Sequence, residues 1–358
     1  MKIAQILYPG LGGHTTVAFS LIEGDIDRNY QHVLIGYGIE MPGETFKEKA
    51  REKNTTFYTV LKRKGLDLLS YITLWKYLRQ EKPDVILMHS TGVVFTVFLY
   101  NILYRVKWIA VEHQSNFAKS KIDWLYTFFI MLLAPKIVYL NKEYKEQVQD
   151  KIGLFFRTNK ITIIPNGINV EKYRYAHNKI KVSDNVHIAM IGRFTPLRDH
   201  ETLIRAIAEI KSTLSVRLFL AGDGNTKTRM ESLVRELNLR SEVIFLGDIS
   251  ETVIIDLLQK IDIYIHSSFA ETQSTSILQV MASKTPIIAT NIPGINNILE
   301  HKFNGVLFKT GNVNQLSKCI IEMINADNDQ IVGQAYKLVE REFNLINMFE
   351  NYSKLWKK

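Results

Sequence analysis

His187-Ile188-Ala189-Met190-Ile191-Gly192-Arg193-Phe194-Thr195-Pro196-Leu197-Arg198-Asp199-His200-Glu201-Thr202-Leu203-Ile204-Arg205-Ala206 decides the fold. Its first residues form a short apolar run, Gly192 stops the run, and apolar residues return at helical spacing from Leu203. That is a strand, a loop and a helix, the repeating unit of an α/β protein. The unit recurs downstream, with strands expected at Arg217–Ala221, Val243–Leu246, Ile263–His266, Pro286–Ala289 and Gly305–Phe308. It also recurs upstream, at Lys2–Tyr8, His32–Gly36, Val85–Met88, Trp108–Val111, Lys136–Tyr139 and Ile161–Ile164. Many of these runs are continuously apolar, as parallel strands covered on both faces must be.

The pattern halts near Pro165-Asn166-Gly167 and starts again at His187. A doubly wound unit takes about 150–180 residues, so a chain of 358 residues holds two. The polar stretch from Glu171 to Asp184 reads as the linker. Ligands of such sheets bind outside the carboxyl ends of the strands, so two Rossmann-like domains are expected to face each other across a cleft.

Composition narrows the class. Apolar residues make up 46% and charged residues 23%, which excludes disordered, collagen-like and coiled-coil chains. The single cysteine, Cys319, cannot close an internal disulfide and fits a reducing, cytoplasmic setting. The opening Met1-Lys2-Ile3-Ala4 lacks the pattern of a secretory leader. The apolar stretch Val85–Tyr104 is broken by His89-Ser90-Thr91-Gly92, so a strand, a turn and a helix are expected there, not a membrane span. The net charge of +9 is uneven: residues 1–165 carry 22 Lys+Arg against 15 Asp+Glu, and residues 166–358 carry 23 against 21. That imbalance points to an anionic partner of the first domain.

Loops at the expected strand ends carry the chemistry. Tyr8-Pro9-Gly10-Leu11-Gly12-Gly13-His14-Thr15-Thr16 lets backbone approach a ligand at the start of a helix. It suits a dinucleotide, another anion or a plain tight turn, because Thr15 stands where the dinucleotide fingerprint needs a third glycine. Glu40, near the end of the second strand, keeps an NAD-dependent oxidoreductase open as an alternative. Arg193 and Arg198, five apart on one loop, can converge on an anion, or else cap the helix and pair with Asp199 and Glu201. Gly222-Asp223-Gly224 and Phe245-Leu246-Gly247 offer backbone on which a flat base could lie, or are ordinary turns. Around Ser274, Thr275 and Ser276, free N–H groups at a helix start favour phosphate. Glu271 suits sugar hydroxyls, or is a carboxylate stabilised by the helix dipole.

In order and spacing these features resemble glycosyltransferase family 4, of GT-B fold, over nearly the whole chain and most strongly from Ile164 to Ile298. The resemblance implies that Arg193 and Arg198 hold a nucleotide diphosphate, although the family usually has Lys where Arg198 stands. Glu271 matches the first glutamate of the family's Glu-(x)7-Glu pattern, near the donor sugar. The second glutamate, which grips the ribose, is here Gln279, and Thr272 and Ser274 replace the family's glycines. These departures keep a non-catalytic or weakly active nucleotide-sugar-binding homologue as a further alternative. His113 matches the family histidine near the donor sugar, and Gly12 and Gly13 would approach the diphosphate. Gly192, Gly222, Asp223, Gly247, Ser274, Thr275 and Ser276 complete the expected donor site. The closing segment, with Phe349, Tyr352, Leu355 and Trp356, is similar to a terminal helix that crosses back onto the first domain. The expected domains are therefore 1–165 with 343–358 on the acceptor side, and 166–342 for the donor.

The implied reaction is retaining transfer of a hexosyl or N-acetylhexosaminyl group from a nucleotide-sugar, with UDP expected, to a hydroxyl of a glycan or polyprenyl-linked acceptor. Cell-surface polysaccharide, lipopolysaccharide or capsule, is the expected product. Two arginines supply positive charge, so no metal and no cofactor are expected, and Asp25-Ile26-Asp27 and Asp327-Asn328-Asp329 are read as chance matches to Asp-x-Asp. Nucleic acid is not an expected partner. Lys47, Lys49, Arg51, Lys53 and Lys62-Arg63-Lys64, with the aromatic helix Trp124–Leu133 (Trp124, Phe128, Phe129, Met131), suit peripheral contact with an anionic membrane at its inner face.

Overall fold

The computed structural model describes residues 1–9, 13–65, 67–174 and 185–357. Gly12 and positions 175–184 of the expected linker lie outside the described residues. The chain divides into two units, Met1–Gly167 with Leu345–Lys358, and Ile168–Asn344.

The first unit begins β1 (Lys2–Leu7), α1 (Gly13–Gly24), β2 (Gln31–Gly38), α2 (Glu44–Glu52), β3 (Thr56–Leu61) and α3 (Leu68–Glu81). It continues β4 (Val85–Met88), α4 (Val94–Tyr104), β5 (Lys107–Glu112), α5 (Lys121–Leu133), β6 (Lys136–Tyr139), α6 (Lys142–Ile152) and β7 (Ile161–Ile163). The seven strands are parallel in the order β3-β2-β1-β4-β5-β6-β7. Because the order reverses between β1 and β4, the loops after those strands frame the place where such sheets bind ligands. Successive residues point to opposite faces: Ala4 and Ile6 join one apolar cluster, and Ile3 joins another with Val17 and Leu21 of α1. Val85–Tyr104 is a strand, a short turn and a helix, as expected, and among the described residues no helix is long and apolar enough to cross a membrane.

β3 escapes the sequence reading. It is an edge strand with half-exposed residues, and Lys62-Arg63-Lys64 follows it, so it lacks the continuous apolar run of its neighbours. Met131 of the aromatic helix is core, whereas Ile122, Leu125 and Leu132 of the same helix are exposed.

The second unit contains α7 (Val170–Arg174), β8 (Val186–Ile191), α8 (His200–Ile210), β9 (Val216–Ala221), α9 (Lys227–Glu236), β10 (Val243–Gly247) and α10 (Glu251–Lys260). It ends β11 (Ile263–His266), α11 (Thr275–Ala282), β12 (Ile287–Thr290), β13 (Val306–Phe308), α12 (Val313–Asn325) and α13 (Asp329–Glu342). Its six parallel strands run β10-β9-β8-β11-β12-β13, the first unit's plan without a seventh strand. Ile188 and Met190 pack to one face with Leu203 and Ile207 of α8, and Ala189 to the other with Leu278 and Met281 of α11. Here the switch lies between β8 and β11.

The last helix, α14 (Leu345–Lys357), belongs to the first unit. Met348, Tyr352 and Trp356 are buried against Val17, Leu21 and Ile109. Gly24 permits the approach, since a Cβ there would stand 2.6 Å from Phe349 Cβ. Burying side chains of this size stabilises by about 2–3 kcal/mol each.

Candidate active site

In the second unit, two loops meet at the switch. Asp199 caps α8, its carboxylate accepting from Thr202 N at 3.1 Å, and so fixes where the arginine loop ends. Backbone bonds join that loop to the one after β11: Asp199 N donates to Ser267 O at 3.1 Å and Phe269 N to Leu197 O at 2.9 Å. Arg198 is thereby carried onto Glu271. Its Nη1 lies 2.6 Å from Glu271 Oε2 and donates to Ser268 Oγ at 2.7 Å and Ala270 O at 3.2 Å.

Burial alone would raise the Glu271 carboxyl, but the Arg198 guanidinium and His266 outweigh it and hold it at about 2. Glu271 is therefore ionised at neutral pH, and His266 Nε2, 3.2 Å away, must carry the proton between them. Burial keeps the His266 ring neutral. Its Nδ1 faces Tyr264 OH at 3.2 Å, and the one hydroxyl proton is shared between Nδ1 and Ile191 O, which is also 3.2 Å away. Neither Tyr264 nor His266 is among the sequence candidates; a histidine ending an apolar strand five residues before the glutamate was the available signal.

Glycines hold these loops together. A Cβ on Gly222 (φ +135) would lie 2.1 Å from Gly192 O, and one on Gly224 (φ +150) 2.3 Å from Phe194 O. The arginine loop thus packs directly on the Cβ side of Gly222 and Gly224. Gly247 (φ +70) has nothing within 4 Å of its Cβ position. Gly294, which the sequence reading passes over, presses on the Glu271 carbonyl, where a Cβ would be 2.1 Å away. Asp223 accepts from Gly224 N at 2.7 Å. Ser274 caps α11, accepting from Ile277 N at 3.3 Å and meeting Ser276 Oγ at 2.9 Å. Those hydroxyls serve the helix start, and the first-turn N–H groups of Thr275 and Ser276 have no acceptor within the helix. Buried Gln279 donates from Nε2 to Tyr173 OH at 2.8 Å, and Tyr173 donates to Glu251 Oε1 at 2.7 Å. Arg193 is half-buried on the same loop as Gly192.

In the first unit the switch gathers three histidines. His14 lies in the first turn of α1, His89 follows β4, and His113 follows β5. His89 Nδ1 is 2.8 Å from His113 Nε2, and His89 Nε2 is 3.2 Å from Gln5 Oε1. The His14 and His113 rings lie 4.5 Å apart, and His14 Nδ1 is buried without a hydrogen-bond partner among the described residues. Burial lowers all three, His14 to about 4 and His89 to about 3, so the cluster is neutral at pH 7. Gly13, at the start of α1, has no described atom within 4 Å of its Cβ position. Both Asp-x-Asp matches close turns: Asp25 accepts from Asn29 N at 3.0 Å and Tyr30 N at 2.9 Å, and Asp327 from Asp329 N at 3.0 Å.

Comparison with known proteins bears on what these loops serve. Residues 11–172 match the model described as Glycosyltransferase Family 4, and residues 174–337 match the one for glycosyl transferases group 1. An uncharacterised glycosyltransferase of Methanocaldococcus jannaschii is 22% identical, with 100% of this chain and 98% of that protein covered. The UDP-Gal:α-D-GlcNAc-diphosphoundecaprenol α-1,3-galactosyltransferase of Escherichia coli is 23% identical over 81% of this chain and 79% of its own. Among solved structures, Anabaena HepE in complex with UDP and glucose superposes with a TM-score of 0.84 at 19% identity, covering 100% and 99% of the two chains. Staphylococcus aureus TarM superposes with a TM-score of 0.80 at 14% identity, covering 100% and 99%. The NAD-dependent oxidoreductase alternative gives way to these matches. With two parallel Rossmann-like sheets and both family models matched in sequence order, this chain belongs to the family 4 glycosyltransferases and has the GT-B fold.

Proposed function

We propose that the chain is a retaining hexosyl- or N-acetylhexosaminyltransferase that uses a UDP-sugar and a glycan or polyprenyl-linked acceptor to build cell-surface polysaccharide, lipopolysaccharide or capsule. The observation that carries the reading is the ionised Glu271 held by Arg198 at the β8–β11 switch, beside the start of α11. As the glycosidic bond breaks, the leaving diphosphate gains negative charge. Arg193, the rest of the Arg198 guanidinium and the Thr275 and Ser276 amides stabilise that charge. Glu271 accepts from sugar hydroxyls, and backbone at Gly192, Gly247, Gly12 and Gly13, with Asp223, completes the donor set. Gln279, tied to Tyr173, meets the ribose as a neutral amide. His113 serves the donor sugar. With two arginines on the diphosphate, no metal is required.

HepE was solved with UDP and glucose, and the Escherichia coli relative is named for UDP-Gal and a diphosphoundecaprenol-linked acceptor, which supports the choice of donor and acceptor class. The surface of the first unit supports a lipid-linked acceptor as well. The outward face of α4 carries Phe95, Leu99, Ile102 and Leu103, at helical spacing and all exposed. Phe95 meets Phe129 of α5 at 4.9 Å between ring centroids, so the apolar face continues onto Ile122 and Leu125. Exposed Arg105 and Lys121 flank it. An apolar face with basic residues at its edge suits an anionic membrane at the cytoplasmic side. The α2 run contributes less than its sequence suggests, because Lys47 pairs with Glu44 at 2.5 Å and Lys53 with Glu23 at 3.1 Å.

The test is incubation with UDP-glucose, UDP-galactose and their N-acetylated counterparts, with membrane extract and EDTA. UDP release with one donor and an anomerically retained product is expected. Tight UDP binding without turnover on any donor would replace this reading with the binding homologue that Gln279 suggests. Flotation with anionic vesicles tests the surface: Leu99→Glu with Ile102→Glu is expected to abolish binding, and unchanged flotation would remove the membrane from the proposal.

A further inference from the structure

Lys2, Lys47, Lys53 and Lys119 of the first unit each face a glutamate within 3.1 Å. Lys62, Arg63 and Lys64, which follow β3, form no ion pair with a described residue. Their turn is fixed at both ends. Lys62 N donates to Gly38 O at 2.8 Å, which carries the β2–β3 pairing one step further. Asp67 caps α3 and accepts from Arg63 N at 2.8 Å and Ser70 N at 3.4 Å, so the carboxylate of the turn is spent on backbone. Lys62 Nζ lies 6.0 Å over the Tyr37 ring, and Tyr37 OH meets Ser70 Oγ of α3 at 2.9 Å. Apolar residues stand beside the charges: Leu61 before the turn, and Leu68, Leu69 and Ile72 after it, are each more than half exposed. Farther along α3 the exposed positions are Lys76, Arg79 and Gln80, so the apolar surface is confined to the end that carries the basic turn.

We infer that the β3–α3 turn is the binding site for the diphosphate of a polyprenyl-linked acceptor. Lys62, Arg63 and Lys64 hold the anion. Leu61, Leu68, Leu69 and Ile72 take the isoprene units next to it. The inference rests on the proposed acceptor class and adds the place where that acceptor is gripped. Basic and apolar groups side by side fit an amphiphile whose anionic group joins a hydrocarbon chain to a sugar. A nucleoside diphosphate carries no chain and would leave the four apolar side chains in water. The turn stands at the carboxyl end of the sheet, two strands from β1 in the order β3-β2-β1. At the usual strand spacing that is roughly 10 Å from the loop that opens α1, room for about one or two sugar rings between the diphosphate and the hydroxyl that reacts at the switch.

The experiment is titration calorimetry of the full-length protein with farnesyl diphosphate, farnesol and inorganic diphosphate, each in excess UDP so that the arginine pair of the second unit is occupied. Farnesyl diphosphate is expected to bind at least about tenfold more tightly than either of the others, because only it engages both halves of the site. Lys62→Gln with Arg63→Gln and Lys64→Gln is expected to weaken farnesyl diphosphate at least about tenfold and to leave UDP binding unchanged. Leu68→Ser with Ile72→Ser is expected to cost farnesyl diphosphate at least about tenfold and to leave inorganic diphosphate unchanged, a split that a collapsed turn would not give. A wild-type protein that does not bind farnesyl diphosphate overturns the inference and needs no variant to fold. So does unchanged binding in the triple variant; if that variant also ceases to float with phosphatidylglycerol vesicles, the turn is a general membrane contact. The binding reading requires no turnover. Binding as expected in a protein inactive on every donor would leave the inference standing and refute the proposed function, and sugar transfer without farnesyl diphosphate binding would do the reverse.

Discussion

Gly294→Ala adds one methyl group where the structure leaves no room for it. The new Cβ would lie 2.1 Å from Glu271 O, 2.6 Å from Glu271 C and 2.6 Å from Thr272 O, all backbone atoms. Ordinary contact begins at 3.4 Å, so the Glu271 loop must retreat by more than 1 Å. Such a shift breaks the 2.6 Å contact to Arg198, which is anchored after β8, and the 3.2 Å contact to His266, which is fixed as the last residue of β11. A charge-assisted hydrogen bond is worth about 1.5–3 kcal/mol. Losing the Arg198 contact alone is expected to cost about 10- to 150-fold in kcat/KM at 1.36 kcal/mol per decade. The positive φ of +86 adds about 1 kcal/mol of backbone cost for any L-residue. Gly311→Ala is the control: its φ is +74, nothing among the described residues stands within 4 Å of its Cβ position, and it has no place in the donor set. Both variants are expected to lose roughly 2–4 °C from the backbone cost alone, but only Gly294→Ala should lose kcat/KM for sugar transfer. A folded Gly294→Ala protein with wild-type kcat/KM would refute the argument that the Glu271 loop is held by this glycine.

Other perturbations follow from the same geometry. Arg193→Ala and Glu271→Ala are each expected to lower transfer at least about tenfold, since each removes one charge-assisted contact; wild-type rates in either folded variant would sink the site. Trp356→Ala is expected to cost the first unit about 3–5 kcal/mol in denaturant unfolding, because the indole is 1% exposed beneath α1 and β5. A loss below 1 kcal/mol would show that α14 does not hold that face. The histidine cluster predicts an acid limb of stability. His14 and His89 sit below their unfolded value of 6.5, at about 4 and about 3, so the unfolded chain binds more protons in between. Their contribution is complete above pH 6.5 and is lost as pH falls towards 4. Between pH 7.5 and pH 5 each of the two costs about 2 kcal/mol, about 4 kcal/mol together, so a melting temperature lower by roughly 8–16 °C is expected at pH 5, and His89→Gln should reduce the drop.

What the amino-acid sequence discloses depends on whether a residue's role is local. β4, β6 and β11 have the bounds their runs predict, because each is a nearly continuous buried apolar run, with only Lys136 and His266 polar at an end. β3 is hidden because an edge strand has one side without a neighbour and tolerates half-exposed residues. Strand-end loops are legible for a similar reason: glycine, arginine and glutamate stand out against apolar flanks. What they touch is not. Arg198 and Glu271 are 73 residues apart, and only the β8–β11 pairing makes them neighbours. Gly222 and Gly247 look alike in sequence, yet one is filled by backbone and the other is open. Gln5 carried a signal that reading by strands alone overlooks, a polar side chain inside an otherwise apolar buried strand. Such a residue stays buried only with partners, and here the partners are His89 and α1.

Both units put their chemistry at the same topological position and solve its electrostatics in opposite ways. In the second unit the switch holds full charges, an ionised Glu271 against Arg198, and pairing offsets the cost of burying them. In the first unit the corresponding loops exclude charge: three histidines are pressed together and burial keeps each neutral. Fixed charges suit a diphosphate, whose charge grows as the bond breaks. Oriented neutral lone pairs suit hydroxyls, which carry none. The charge of residues 1–165, 22 Lys+Arg against 15 Asp+Glu, therefore does not mark the reacting centre of that unit. Lys47 and Lys53 spend it on pairs with glutamates, and exposed Arg105 and Lys121 place it beside the apolar face of α4 and α5. A basic outer face beside a neutral switch is the arrangement that the proposed membrane contact and the proposed handling of a sugar hydroxyl call for.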